Sequence, residues 1–160
     1  MCSSDLESEA VEKDAAFIAE EDESLGDQLN MVFKGCMLIS IAAGFLLGNV
    51  LLKNMAARQR PCWLDPSVEL LVRVPKDFSF PSGHSLVSFE GAVCIFLFNR
   101  KWGIPALMLA VLIAFSRLYL FVHFPTDVLA GIIMGTVIAW FVVRTAKRRT
   151  EKTDRVPGAP

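Results

Sequence analysis

The sequence predicts an all-α, polytopic membrane helix bundle with about four spanning helices and an interfacial loop. Two observations carry this prediction. Hydrophobic residues make up 53% of the 160 residues, a high share for a soluble domain. They are concentrated in long apolar blocks separated by short polar stretches, and these blocks approach the roughly 20 residues that a spanning helix needs. The blocks show little amphipathic restriction, as expected where lipid or other helices surround a helix.

Each element follows from the position of these blocks and of the prolines between them. The stretch Asn54–Pro81 contains several prolines that exclude one continuous helix, so it is predicted to be an interfacial loop with a short helix around Ser67–Val72. Tight turns are predicted at Asn99–Gly103 and Phe124–Thr126. The predicted spanning helices are Met31–Leu52, His84–Phe98, Ile104–Val122 and Asp127–Val143.

The net charge of -1 hides an asymmetry between the two ends of the chain. Residues 1–30 are predicted to form an acidic, disordered or peripheral helical tail, 31–145 the membrane domain, and 146–160 a basic cytoplasmic tail. Such a chain is not expected to bind nucleic acid. With the basic end in the cytoplasm, four spans place the long loop on the outer face, where its several cations depart from the usual charge distribution unless they have another role.

Polar residues at three helix ends are predicted to meet on that outer face, and their chemistry suits phosphate. Lys53 and Arg60 can neutralise an oxyanion, arginine with a bidentate fork. Ser82 and Gly83 lie where a helix begins, so backbone N–H groups and the positive end of the helix dipole are available to an anion.

The two histidines of the sequence suit nucleophilic and acid–base roles. His123 and Asp127 are spaced so that the carboxylate could accept from one ring nitrogen and leave the other as a nucleophile. His84 is then available to protonate a leaving oxygen. Because cationic side chains can stabilise the transition state, no metal or other cofactor is expected, and no zinc-like set of ligands is recognisable.

These residues also form a pattern that resembles a known family. Lys53 followed by Arg60-Pro61, then Pro81-Ser82-Gly83-His84, then Ser116-Arg117 with His123 and Asp127, resembles the three signatures of the type 2 phosphatidic acid phosphatase superfamily, over about Met31–Val143. The resemblance implies that His123 attacks phosphorus and becomes a phosphohistidine, that Asp127 supports it, and that His84 protonates the leaving group. It implies phosphate binding by Lys53, Arg60, Ser82, Gly83 and Arg117.

The resemblance leaves the substrate open. The compact loops are similar to those of small bacterial members that act on undecaprenyl diphosphate in cell-wall lipid recycling, while phosphatidylglycerophosphate and phosphatidate are the alternatives. Membrane members usually have further spanning helices before the first signature, a place taken here by the acidic segment. A non-catalytic or truncated membrane scaffold is therefore the alternative from another class.

Two further features are interpreted as packing rather than chemistry. Glu90 lies in the second predicted helix, where an ionisable group is costly, and a structural contact and a substrate contact stay open for it. Gly44, Gly48, Gly131 and Gly135 recur at four-residue spacing, which predicts close helix packing. Association into a homo-oligomer is left open.

Overall fold

The computed structural model describes residues 26–65 and 67–154. All regular secondary structure within these residues is helical, which confirms the predicted fold class. The helices are α1 (residues 26–56), α2 (Pro61–Leu64), α3 (Gly83–Phe98), α4 (Arg100–Tyr119) and α5 (Pro125–Asp154).

The chain divides into two compact units, Met1–Lys34 and Gly35–Pro160. The helix packing and the site described below belong to the second unit. Most of the predicted acidic tail, residues 1–25, lies outside the described part of the chain, as do residues 155–160 of the predicted basic tail. Residues 146–154 of that tail continue α5.

Three helical segments are long and apolar enough to cross a membrane: Gly26–Leu64, Arg100–Tyr119 and Pro125–Thr150. Helix α3 is apolar but has only 16 residues. It packs against α1, α4 and α5, so it is largely enclosed by other helices. Many large apolar side chains of the longer helices are exposed, as expected for surfaces that face lipid. Examples on α4 and α5 are Met108, Leu109, Leu112, Phe115, Leu129, Ile133 and Phe141.

Helix α1 changes geometry where it approaches the polar end of the bundle. It is α-helical over 26–44 and π-helical over Phe45–Leu52, and it ends with one α-helical turn, Lys53–Ala56. Ala57 then adopts a left-handed conformation with φ of 41°, and its N–H donates to the carbonyl oxygen of Lys53. Stretches of π-helix are frequent at functional sites, and this one ends directly before the buried side chain of Lys53.

Glycines allow α5 to lie directly against the backbone of α3. A Cβ atom on Gly131 would lie 2.6 Å from the carbonyl oxygen of Ser82, and one on Gly135 would lie 2.4 Å from that of Leu86. From α1, a Cβ on Gly48 would lie 2.7 Å from the side chain of Leu86. The prediction that the regularly spaced glycines serve close packing is confirmed.

Replacing Gly135 with alanine is expected to destabilise the bundle by about 1–3 kcal/mol, the usual cost of overpacking. The added methyl group would meet backbone atoms of α3, which cannot rotate away as a side chain could. Thermal unfolding of the purified protein in detergent measures the effect. Gly35→Ala is the matched control, because nothing lies within 4 Å of a Cβ there, and an unchanged melting temperature for Gly135→Ala would contradict the packing argument.

Two local predictions are wrong. Residues 67–72 are not helical, and the short helix of the loop is α2, which begins at Pro61 after the extended residue Arg60; proline is favoured at the first helical position. The turn expected at Asn99–Gly103 is reduced to Asn99, whose side chain accepts from the backbone N–H groups of Lys101 and Trp102. This cap gives two N–H groups of the first turn a hydrogen-bond acceptor, so α4 begins at Arg100, directly after Asn99.

Glu90 is fully buried on α3. Within the described residues neither of its carboxyl oxygens has a hydrogen-bond partner. Gly44 of α1 leaves the space that the carboxyl group occupies, since a Cβ there would lie 2.0 Å from Glu90 Oε1. Glu90 does not line the cavity described below, so it stays outside the candidate site.

Candidate active site

A cavity of about 860 Å³ opens at the polar end of the bundle. Elements far apart in sequence meet there: the end of α1, the loop before α3, the first turn of α3, the last turn of α4 and the turn between α4 and α5. Its charged and titratable lining residues are Lys53, Arg60, Arg73, Asp77, His84, Arg117 and His123. The structure thus brings together most of the residues that the sequence singled out.

Arg60 lies at the centre of this site and is almost completely buried. Its Nε donates to the carbonyl oxygen of Asp77 at 2.7 Å, and its Nη2 donates to Asp77 Oδ1 at 2.8 Å and to the carbonyl oxygen of Phe78 at 3.3 Å. Its Nη1 donates to the carbonyl oxygen of Val122 at 2.8 Å and lies 3.1 Å from His123 Nε2. All five N–H donors of the guanidinium therefore have a protein partner.

Lys53 reaches the same group of residues from α1. Its buried ammonium donates to Asp77 Oδ2 and, at 3.3 Å, to Asn49 Oδ1. Gly83 allows Asn49 to approach the start of α3, because a Cβ on Gly83 would lie 2.9 Å from Asn49 Oδ1. Asp77 thus forms ion pairs with both Lys53 and Arg60.

The environment of Asp77 keeps its carboxyl group ionised. Burial by itself would raise the pKa of Asp77, but the hydrogen bond from Lys53 and the charges of Arg60 and Lys53 outweigh burial and lower the pKa below its ordinary value. Asp77 was not singled out from the sequence. Asp77 is one of three carboxylates in the loop, with Asp65 and Glu69, and the sequence does not say which of them contacts the cations.

His123 is buried in the turn between α4 and α5. Burial lowers the pKa of His123 to about 4, and the nearby charge of Arg60 adds to this effect. The ring is therefore neutral at physiological pH. Because Arg60 donates toward Nε2, Nε2 carries the lone pair and Nδ1 carries the proton in the arrangement that the contacts favour.

The turn that holds His123 differs from the predicted helix end at Val122. Helix α4 ends at Tyr119, and Phe121 has a left-handed conformation with φ of 55°. The carbonyl oxygen of Val122 accepts from Arg60 instead of taking part in a helix. The left-handed Phe121 turns the chain out of the helix before Val122, and the bond from Arg60 joins this turn to the loop.

Asp127 supports this turn but does not bond directly to the histidine ring as expected. Its Oδ2 is 3.8 Å from His123 Nδ1, beyond hydrogen-bond distance. The carboxylate accepts from Ser79 Oγ at 2.5 Å, the Phe124 backbone N–H at 2.9 Å and Arg58 Nη1 at 2.8 Å. These three donors hold the carboxylate in the turn, with the histidine ring beyond hydrogen-bond distance.

Ser79 and Arg58 are further members of the site. Ser79 Oγ lies 3.4 Å from His123 Nδ1 while it donates to Asp127, so this hydroxyl contacts both groups. Arg58 pairs with Asp127 and lies over the ring of Phe124 at 4.1 Å. Arg58 is one of the several loop cations to which the sequence assigned no role. Ser79 carried no signal, because a lone serine in a loop is common.

The remaining predicted residues divide into two groups. His84 and Gly83 line the cavity from the first turn of α3, and Arg117 lines it from α4, with its Nε donating to Ser116 Oγ at 3.1 Å. Ser82 is fully buried and does not line the cavity. Its hydroxyl accepts from Ser85 Oγ and its backbone N–H donates to the carbonyl oxygen of Asp127, so here it joins α3 to α5.

The described residues contain no group of three or more His, Cys, Asp or Glu side chains arranged to hold a metal ion. Lysine and arginine side chains supply positive charge to the cavity. Such a set of cations suits an anionic phosphoryl group.

Comparison with known proteins gives a consistent result. The family model of the PAP2 superfamily matches residues 33–151. An undecaprenyl-diphosphatase of Sulfolobus acidocaldarius is 38% identical over 109 residues, which are 68% of this chain and 52% of the relative. A lipid A 4'-phosphatase of Bacteroides thetaiotaomicron is 30% identical over 137 residues, 77% of this chain and 61% of the relative.

A solved structure agrees with these relatives. The transmembrane PAP2 type phosphatidylglycerolphosphate phosphatase from Bacillus subtilis aligns with a TM-score of 0.60 and 28% identity, over 79% of this chain and 70% of the other. The chain spans only about half the length of the Sulfolobus relative. The family match covers most of the chain and includes every signature residue, and this chain belongs to the PAP2 superfamily.

Proposed function

We propose that this chain hydrolyses the terminal phosphate of a lipid phosphomonoester or diphosphate, with undecaprenyl diphosphate as the preferred substrate. The observation that carries the proposal is the position of His123: Nε2 of a buried, neutral imidazole lies 3.1 Å from Arg60 Nη1 in a cavity lined by cations. A neutral imidazole nitrogen is a nucleophile, and a guanidinium beside it can hold the phosphoryl group under attack.

In the first step, His123 Nε2 attacks phosphorus and the bond from phosphorus to the leaving oxygen breaks. A phosphohistidine forms, and the proton on Nδ1 lies near Ser79 and Asp127, which stabilise the positive charge on the ring. Lys53, Arg60 and Arg117 balance the charge on the phosphoryl oxygens. Because these cations are present before the substrate binds, they need little reorganisation in the transition state.

His84 is proposed to act as general acid and then as general base. It lines the cavity from the first turn of α3, whereas His123 lines it from the turn between α4 and α5. It donates a proton to the leaving oxygen, and in the second step it accepts a proton from the water that attacks the phosphohistidine. Hydrolysis of the P–N bond releases inorganic phosphate and restores the neutral His123 ring.

Apolar residues beside the cations favour a lipid as the substrate. Phe45, Val72 and Val87 line the same cavity, so the first carbons of an acyl or prenyl chain would contact apolar surface while the phosphate binds the cations. The undecaprenyl-diphosphatase relative supports undecaprenyl diphosphate. The Bacillus structure supports phosphatidylglycerophosphate as the second candidate.

The test is phosphate release by the purified full-length chain from undecaprenyl diphosphate, phosphatidylglycerophosphate and phosphatidate in mixed micelles. We expect release from at least one of them, fastest from undecaprenyl diphosphate, and unaffected by EDTA. If phosphate is released fastest from phosphatidylglycerophosphate, that lipid replaces undecaprenyl diphosphate as the preferred substrate. No release from any of the three would overturn the proposal and favour a non-catalytic membrane scaffold.

Replacing His84 with glutamine is expected to slow phosphatidate hydrolysis by roughly 10²–10⁴-fold, the usual contribution of general acid catalysis. The loss should be much smaller for undecaprenyl diphosphate, since a departing phosphate needs less protonation than a departing alkoxide. Comparison of kcat for the two substrates measures this difference. Equal losses for both would show that His84 does not act on the leaving group.

The cavity is proposed to face the outside of the cell membrane. Helix α5 begins beside the site and runs to a basic end, where Lys147 Nζ donates to the carbonyl oxygen of Leu97 at 2.7 Å. The start of α4, with Arg100 and Lys101, is therefore close to that basic end, opposite the cavity. Cytoplasmic ends of spanning helices are enriched in lysine and arginine.

Cysteine labelling tests this orientation. We expect that Glu69→Cys, in the exposed loop near the site, reacts with a membrane-impermeant maleimide in intact cells. Lys101→Cys, exposed at the opposite end, should react only after the membrane is opened. The unsubstituted chain supplies the background from its native cysteines. The reverse pattern would place the site in the cytoplasm.

A further inference from the structure

Asp77 occupies the position where the two buried cations of the cavity meet. Its Oδ1 accepts from Arg60 Nη2 at 2.8 Å and its Oδ2 accepts from Lys53 Nζ. The exposure of the partners is very unequal: the side chains of Lys53 and Arg60 are 10% and 4% exposed, whereas that of Asp77 is 54% exposed. The cations are thus enclosed by protein, while the carboxylate lies on the open side of the cavity.

A carboxylate and a phosphoryl group use the same donors. Each presents neighbouring oxygens that accept from a guanidinium and an ammonium. Every N–H donor of Arg60 already has a protein partner, and Asp77 takes Nη2 with its carboxylate and Nε with its backbone oxygen. A phosphate that takes the two donors now held by the Asp77 carboxylate, one on Arg60 Nη2 and one on Lys53 Nζ, therefore displaces that carboxylate.

Rotation of the Asp77 side chain would release both cations without breaking the bonds that hold the loop backbone. The backbone around Asp77 is held by Arg60 Nε on the carbonyl oxygen of Asp77, by Trp63 Nε1 on that of Pro75, and by the Ser79 N–H on that of Arg58. The loop can keep these bonds while the carboxylate turns toward solvent. Two buried cations would then lack an anion, which is unfavourable unless another anion arrives.

We propose, resting on the function proposed above, that Asp77 is a tethered competitor of the substrate phosphate and selects lipids with a doubly charged terminal phosphate. When a phosphodiester replaces the carboxylate, the cations still face a single negative charge, so Coulomb attraction gains nothing. Exchange for a terminal phosphate dianion brings two charges to the same cations and is favoured by Coulomb attraction. Phosphodiester lipids, which are abundant in membranes, are thereby kept out of the site.

The competing interpretation is that Asp77 only positions Lys53 and Arg60. The two interpretations predict opposite results when the charge of Asp77 is removed. A competitor lowers phosphate affinity, so Asp77→Asn should bind phosphate more tightly. A positioning residue raises phosphate affinity, so Asp77→Asn should bind it less tightly or equally.

The experiment measures binding of inorganic phosphate and of dimethyl phosphate, a singly charged diester, to the full-length chain in detergent at pH 8 by calorimetry. For Asp77→Asn we expect a Kd for inorganic phosphate about tenfold lower than for the unsubstituted chain, equivalent to about 1.4 kcal/mol. Dimethyl phosphate should bind to Asp77→Asn but not detectably to the unsubstituted chain. In turnover, Asp77→Asn should lower KM for the lipid and strengthen inhibition by released phosphate.

Glu69→Gln is the matched control, because it removes one carboxylate from an exposed position of the same loop; its Kd should stay within twofold. Asp77→Ala is the second neutral variant should Asp77→Asn not fold. If the folded neutral variant binds phosphate with unchanged or weaker affinity, this inference is overturned and the proposed function is not. If the neutral variant binds phosphate more tightly but the unsubstituted chain hydrolyses no lipid, the proposed function is overturned and the competitor role stands.

Discussion

Replacing His123 with alanine is expected to abolish phosphate release, with a loss of at least about 10⁴-fold in kcat, the loss that follows from removing the proposed nucleophile. No other described residue combines a neutral nucleophilic nitrogen with contact to Arg60. We do not expect His84 to replace it, because His84 lines the cavity from α3 rather than from the turn beside Ser79 and Asp127.

The measurement combines turnover with trapping of the intermediate. Brief reaction with a lipid carrying ³²P in its terminal phosphate should label the unsubstituted chain with an acid-labile, base-stable phosphate. His123→Ala should not be labelled, although its melting temperature and its binding of inorganic phosphate should be close to those of the unsubstituted chain. Label that persists in folded His123→Ala would assign the nucleophile to another residue.

The protonation state of His123 can be measured directly, because the sequence contains only two histidines. In His84→Gln, the single remaining imidazole can be followed by ¹⁵N NMR in a chain without a histidine tag. Burial and the charge of Arg60 lower the pKa of His123 to about 4, so the ring should stay neutral as the pH falls from 7 to 5 and gain its proton near pH 4. A midpoint near the ordinary value of about 6.5 would contradict the neutral nucleophile.

Replacing Arg60 with lysine is expected to lower kcat/KM by roughly 10²–10³-fold, the loss typical of removing one preorganised charge-stabilising donor. The charge is kept, so the effect isolates the geometry of the guanidinium, which lysine cannot reproduce. Arg60 holds the loop through Asp77 and Phe78, the turn through Val122, and the His123 ring. Loss of these bonds should also lower the melting temperature.

Stability and catalysis can be separated for this variant. Assays well below its melting temperature, with the folded fraction measured in parallel, give kcat/KM for folded protein. Arg148→Lys is the matched control, because Arg148 is exposed on α5 away from the cavity, and its activity should be unchanged. Folded Arg60→Lys with activity within threefold of the unsubstituted chain would show that positive charge alone suffices.

The helical architecture could be predicted because hydropathy and proline placement act locally. A bilayer requires long apolar helices, and the prolines between Asn54 and Pro81 interrupt them. The local errors arose where the conformation of a single residue decides a boundary. Asn99 caps α4 and shortens the predicted turn, and the left-handed Phe121 follows the early end of α4.

The residues that form the candidate site were largely predicted from the sequence, but their hydrogen bonds and ion pairs were not. Lys53, Arg60, His84, Arg117 and His123 meet in one cavity as expected. The positions of other groups could not be predicted, because their partners are distant in sequence. The carboxylate of Asp127 bonds to Arg58 and Ser79 rather than to the His123 ring. Asp77 forms ion pairs with both Lys53 and Arg60.

The sequence by itself therefore determined the membrane helix bundle, its close glycine packing and the identity of most cavity residues, because these follow from hydropathy, residue size and motif spacing. Only the tertiary structure decided which charge pairs with which. Ion pairs in this site join residues from separate helices and loops, and their strength depends on distance and burial. Neither quantity is encoded in spacing along the chain, so the proposed competition between Asp77 and phosphate became visible only after folding.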